Sequence, residues 1–208
     1  MDFRKLLTGL KIVPVCVFDG IEGALKTAEL LVKHSVNIIE VTLRTAASCD
    51  CIKAVCAEFP ELITGAGSVF TTDALDRAVD SGAVFAVSPC LDRELMKHAY
   101  EKGIPYVPGV ATPSELYSAL RMCSVIKVFP AGSLGGVDYI NAITAPFRMF
   151  DFGLMPTGGI DNRNYESYLA ADKVIACGMS YPVNEKLIRE EKYDELESRI
   201  IEVYRGLS

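Results

Sequence analysis

Asn37-Ile38-Ile39-Glu40-Val41-Thr42-Leu43-Arg44 is a strand-forming run with a carboxylate and a guanidinium set into it, and a helical pattern over 47–58 follows it. Apolar side chains at consecutive positions suit a strand covered on both faces, as in parallel sheets, and parallel strands need a crossover helix. The same strand-then-helix phrase recurs on either side. Strands are predicted over 11–17, 62–68, 84–89, 105–109, 125–130, 152–157 and 173–177. Helices are predicted over 21–34, 71–81, 92–101, 114–122, 137–144 and 164–171, and a charged, amphipathic closing helix over 184–205.

Repeated units of about 26 residues with no composition shift between them favour a single α/β domain over 1–208, a small (β/α)8 TIM barrel. The rival, an open doubly wound sheet, is disfavoured because the first strand-helix turn lacks the G-x-G-x-x-G of the dinucleotide-binding version.

Composition narrows the function. The chain has 208 residues, 50% apolar and 23% charged, enough for one well-buried core. A net charge of -6 and a pI near 5.0 argue against nucleic-acid or anionic-membrane partners, while a few local cations suffice for a small anion. The first ten residues are too short and broken for a secretory segment, and no apolar run reaches membrane-spanning length, so a cytoplasmic protein is expected. Seven cysteines, an odd number scattered through apolar segments, read as reduced thiols. Cys49, Cys51 and Cys56 cluster without a matching histidine, so no metal is expected. His34 and His98 fall late in outer helices and read as packed or solvated.

The chemistry centres on Val125-Ile126-Lys127-Val128-Phe129-Pro130. An ammonium in a buried strand loses its hydration at high cost, and a desolvated lysine yields the free amine that attacks carbonyls. Lys127 is therefore the candidate Schiff-base lysine. In a barrel the active site lies at the C-terminal strand ends, and Glu40, Thr42 and Arg44 share one parity on their strand. Glu40 suits proton shuttling, and Arg44 suits a substrate carboxylate held by two parallel hydrogen bonds. The competing reading is a structural ion network among Glu40, Arg44 and Lys127. Pro156-Thr157-Gly158-Gly159 and Cys177-Gly178-Met179-Ser180 end the last two strands, where barrels often bind phosphate, with Ser180 adding a hydroxyl donor. Ser68, after Gly65-Ala66-Gly67, is a second candidate for the carboxylate. Cys90 reads as structural.

Glu40-Val41-Thr42-Leu43-Arg44-Thr45, Gly65-Ala66-Gly67-Ser68-Val69, Val87-Ser88-Pro89, 108–115, Lys127-Val128-Phe129-Pro130-Ala131 and Pro156-Thr157-Gly158-Gly159-Ile160 together resemble the signature segments of the 2-keto-3-deoxy-6-phosphogluconate (KDPG) / 4-hydroxy-2-oxoglutarate (KHG) aldolases. The resemblance spans nearly the whole chain. It implies a class I aldolase on a (β/α)8 barrel, a homotrimer with no cofactor or metal, acting on a small anionic keto acid. It implies Lys127 as the Schiff-base lysine and Glu40 as the acid/base. It also implies Arg44 and Ser68 at the pyruvate carboxylate, Pro89, Phe129 and Thr157 at the pocket wall, and Gly158, Gly159 and Ser180 at the phosphate. Four positions depart from the family pattern: Ser68 for threonine, Cys90 for glycine, Gly132 for glutamate, and Met179 for glycine beside the expected phosphate site. An epimerase-like barrel enzyme working without an imine, or a non-catalytic binder of keto acids or sugar phosphates, are the alternatives.

Overall fold

The computed structural model describes residues 2–207. The elements in chain order are α1 (Phe3–Leu10), β1 (Ile12–Cys16), α2 (Ile21–Lys33), β2 (Ile38–Thr42), α3 (Ser48–Glu58), β3 (Ile63–Gly67), α4 (Thr72–Asp80), β4 (Ala86–Val87), α5 (Arg93–Glu101) and β5 (Tyr106–Val107). They continue with β6 (Gly109–Val110), α6 (Pro113–Leu120), β7 (Val125–Val128), α7 (Gly136–Thr144), β8 (Gly153–Pro156), α8 (Tyr165–Leu169), β9 (Cys177–Met179), α9 (Glu185–Arg189) and α10 (Tyr193–Arg205). The result is an α/β fold on parallel strands, whose ladders form one six-stranded and one three-stranded sheet.

Contacts cluster into two compact units. One takes the chain up to Val13 with Val87–Met179, and the other takes Pro14–Ala86 with the chain from Ser180 onward. In the second, the glutamate unit, β1 pairs with β2 (Val15 with Glu40), β2 with β3 (Ile38 with Ile63 through Thr42 with Gly67) and β3 with β4 (Ala66 with Ala86), all parallel. All five β2 residues are buried, as a sheet covered on both faces requires. Phe18, Leu31, Ile38, Ile39, Ile52, Leu75 and Phe85 are among its largest fully buried side chains.

In the first, the lysine unit, β7 lies between β6 (Gly109 with Lys127) and β8 (Val125 with Gly153 through Val128 with Pro156), and a bridge joins Thr157 to Gly178. Every residue of β7 and β8 is buried, and Leu7, Leu95, Leu116 and Phe152 fill the surroundings.

Four elements differ from expectation. The helix α1 was not predicted. Its Phe3, Leu6, Leu7 and Leu10 sit at helical spacing, and Asp2 caps it by accepting the Lys5 backbone N–H at 3.1 Å. The predicted fifth strand is split into β5 and β6 at Pro108, which has no N–H to give a ladder, although its carbonyl still accepts from Lys127 N at 2.8 Å. The predicted strand over 173–177 moves to Cys177–Met179, because Lys173 adopts φ +68° and leaves Val174 only an isolated bridge to Leu154. The closing helix is two, α9 and α10, separated at Glu191 with φ +53°.

Candidate active site

In the lysine unit, Lys127 is the third residue of β7 and 4% exposed, with Gly109 and Met155 beside it in register. Its Nζ lies 5.3 Å from the centroid of the Phe129 ring, within cation–π range. The burial is what the lone lysine of an apolar strand implies, and the Phe129 ring is its neighbour.

Glycines make room around this strand. A Cβ on Gly109 would overlap the Pro89 carbonyl and come within 2.8 Å of Cys90 N, so the segment carrying Pro89 packs directly on the strand beside Lys127. Gly109 N also donates to the Cys90 carbonyl at 3.2 Å. Ala131 N donates to Thr157 O at 2.9 Å and Gly132 N to Gly158 O at 2.8 Å, so the loop after β7 is stitched to the loop after β8. Gly158 and Gly159 have φ +92° and +76°, the left-handed region that glycine enters without steric cost. A side chain on Gly158 would press on Phe129 and Pro130, and one on Gly132 would crowd Gly159, which gives the Gly132 departure a packing role. Thr157 is buried, and Gly178 leaves the space its Oγ1 occupies. Met179 is 1% exposed and turned into the interior, so its bulk is core rather than a side chain standing in solvent at an anion site.

In the glutamate unit, Glu40 is 1% exposed at the centre of β2. Gly65 and Gly67 on β3 face the same way as Glu40, and each lacks a side chain for a visible reason. A Cβ on Gly65 would enter the Phe85 ring. One on Gly67 would overlap Glu40 Oε1 and lie 2.8 Å from its Cδ and Cγ. Thr42 Oγ1 donates to the Cys16 carbonyl at 2.9 Å and ties β2 to β1. Burial pushes the Cys16 thiol well above its ordinary value, and the Glu40 carboxylate adds to that push.

Arg44 follows β2, and its Nε donates to Ser68 Oγ at 3.2 Å, so the two residues expected at the carboxylate meet. Ser68 holds φ +56° and is 7% exposed, while Arg44 is exposed, which leaves the guanidinium free to turn to a ligand. Ser180 is exposed in the same unit, its carbonyl accepting from Val183 N at 3.3 Å.

The predicted residues thus divide between the units: Lys127, Pro89, Phe129, Thr157, Gly158 and Gly159 in one, Glu40, Arg44, Ser68 and Ser180 in the other. The roles of Gly67, Gly109 and Gly178 were not foreseen. The signal for Gly67 was present as Gly65-x-Gly67, two glycines two apart on a strand, hence on one face. Away from these positions, His34 Nε2 meets Glu197 Oε1 at 2.7 Å, a packed surface pairing. Among the described residues, no group of three or more His, Cys, Asp and Glu is placed to hold a metal.

A family model described as KDPG and KHG aldolase matches residues 3–199. The KHG/KDPG aldolase of Escherichia coli strain K12 is 39% identical over 204 residues, 98% of this chain and 95% of that one. The 2-dehydro-3-deoxy-phosphogluconate aldolase of Haemophilus influenzae is 37% identical over 198 residues, 95% of this chain and 92% of that one. Among solved structures, the KDPG aldolase of Legionella pneumophila, with pyruvate captured as a covalent carbinolamine, matches with a TM-score of 0.91 at 34% identity, covering 97% of both chains. The chain belongs to the KDPG and KHG aldolase family.

Proposed function

We propose that the protein is a class I aldolase that cleaves a 2-oxo-4-hydroxy acid, KDPG and/or KHG, to pyruvate and an aldehyde, glyceraldehyde 3-phosphate or glyoxylate. The observation that carries this is Lys127, an amine 4% exposed in an apolar strand of a chain matched to aldolases over nearly its full length. Lys127 attacks the C2 ketone, and the carbinolamine loses water, assisted by Glu40, to form an iminium. Glu40 then removes the C4 hydroxyl proton. The C3–C4 bond breaks, its electrons flow into the iminium, and the aldehyde leaves. Protonation of the enamine at C3 and hydrolysis release pyruvate and restore the amine.

Arg44 and Ser68 hold the keto-acid carboxylate, a role supported by their hydrogen bond and the fork geometry of arginine. Gly158 and Gly159, which carry no side chain to keep an anion from the backbone, and Ser180 receive the phosphate of the longer substrate. Pro89, Phe129 and Thr157 wall the pocket. Family membership supports a single (β/α)8 domain, a homotrimer and a cytoplasmic location as the setting for this chemistry; no helix among the described residues is long and apolar enough to cross a membrane.

Sodium borohydride with pyruvate is expected to label Lys127 by reducing the imine, with the mass shift mapped to its peptide and absent from Lys127→Ala. An unlabelled protein that still turns over would replace this reading with an imine-free, epimerase-like reaction. A panel of 2-oxo-4-hydroxy acids with and without phosphate, followed by pyruvate release, identifies the aldehyde half.

A further inference from the structure

The strand opposite Glu40 carries a vacancy shaped to its carboxylate. Gly67 closes β3, pairs with Thr42 of β2, and sits on the face that Glu40 occupies. A Cβ there would overlap Oε1 and stand 2.8 Å from both Cδ and Cγ, so the whole end of the Glu40 side chain lies where a residue-67 side chain would be. Two residues earlier Gly65 provides the same kind of vacancy for the Phe85 ring, which is 1% exposed and closes the space next along the strand. The backbone on the other side is fixed as well, since Leu43 N donates to Gly67 O at 2.8 Å.

We propose that Gly67 is a positioning residue for proton transfer: its missing side chain forms the slot that sets the distance from the Glu40 carboxylate to the reacting atoms. This rests on the reading of Glu40 as the proton carrier. A carboxylate 1% exposed is surrounded by packed atoms rather than open solvent, so it cannot swing freely aside when its slot narrows. A methyl at residue 67 therefore pushes the carboxylate outward along the strand face by a distance comparable to one C–C bond. Displacement of a reacting group by about 1 Å costs on the order of a hundredfold in rate. Shortening the side chain by one methylene draws the carboxylate back, so Asp at residue 40 suits a chain with Ala at residue 67.

The test compares Gly67→Ala, Glu40→Asp, the double variant and Glu40→Gln. Three readouts are followed: aldol cleavage, exchange of pyruvate methyl protons with deuterium oxide, and completeness of borohydride trapping with pyruvate. Exchange follows the proton transfers that Glu40 serves without C–C cleavage, and trapping carried to its end point, rather than its rate, reports a folded protein with a working Lys127. In Gly67→Ala, trapping is expected to reach completion while cleavage and exchange both fall about a hundredfold. The double variant is expected to exceed both single variants in exchange by tenfold or more. A Gly67→Ala protein exchanging at the parent rate, while Glu40→Gln does not exchange, overturns the slot and leaves the role of Glu40 standing. Full exchange in Glu40→Gln overturns the role of Glu40 itself. If Gly67→Ala does not fold, the double variant decides alone: folded and faster than Glu40→Asp it supports the slot, and folded but no faster it overturns it.

Discussion

Arg44 shows how one side chain can be held at a single donor without being locked. Its Nε is already engaged by Ser68 Oγ at 3.2 Å, while the rest of the guanidinium belongs to an exposed side chain. One donor holds the plane and the other N–H groups remain for a bidentate carboxylate. Arg44→Ala is expected to raise KM for the keto acid ten- to a hundredfold with a smaller change in kcat, read from steady-state pyruvate release. Arg44→Lys recovers the charge but not the fork and is expected to restore only part of the loss. Lys127 and Glu40 stand out in the sequence as charges inside apolar strands, where solvation cost makes them conspicuous, and Arg44 stands out by sharing the parity of Glu40 at the end of the same strand. Gly67 does not, because a glycine is explained by what occupies the space it leaves, and that occupant is 27 positions away on another strand.

The loop following β6 illustrates an element whose local chemistry decides its shape. Thr112 Oγ1 accepts from Glu115 N, and Glu115 Oε2 accepts from both Ala111 N at 2.8 Å and Thr112 N at 2.9 Å, a complete capping box with Pro113 opening α6. Tyr139 of α7 donates its hydroxyl to the Ala111 carbonyl, so both polar groups of the Ala111 backbone are held. These bonds fix the segment that leaves the strand paired with Lys127. Thr112→Ala is expected to cost about 1 kcal/mol in urea unfolding, the usual worth of an N-cap hydroxyl. Thr112→Ser, which keeps the acceptor, is expected to lose less. Caps of this kind are local, and the sequence Thr112-Pro113-Ser114-Glu115 announces this one. The break at Pro108 and the shift of the last strand to Cys177–Met179 are less visible, because they depend on which ladder partner each backbone group finds.

For the molecule as a whole, buried thiols and phenols link stability to alkaline pH. Burial pushes the Cys51 thiol up to about 11 and that of Cys177 up to about 12, and raises Tyr106 and Tyr204 in the same direction. An unfolded thiol loses its proton near pH 8.5, whereas these stay protonated in the folded chain. Between the two values the unfolded state binds fewer protons, so stability falls as pH rises. The urea midpoint is expected to hold up to about pH 8 and to decline progressively between about pH 9 and 12 under reducing conditions. A flat midpoint to pH 11 would contradict the burial of these groups. Cys51→Ala and Cys177→Ala together are expected to flatten part of the decline.

What the sequence by itself determined is the alternation of buried strands and covering helices, the family, and which charged residues stand in or at the end of apolar strands. These follow from one-dimensional signals: hydrophobic period, caps, and charges where charge is costly. Only the tertiary structure decided where the strands break, that Met179 turns inward, that Arg44 and Ser68 meet, and that Gly67 is the vacancy into which Glu40 fits. Those depend on distances between residues far apart in the chain, and close packing lets a single absent methyl matter only when its neighbour in space is known.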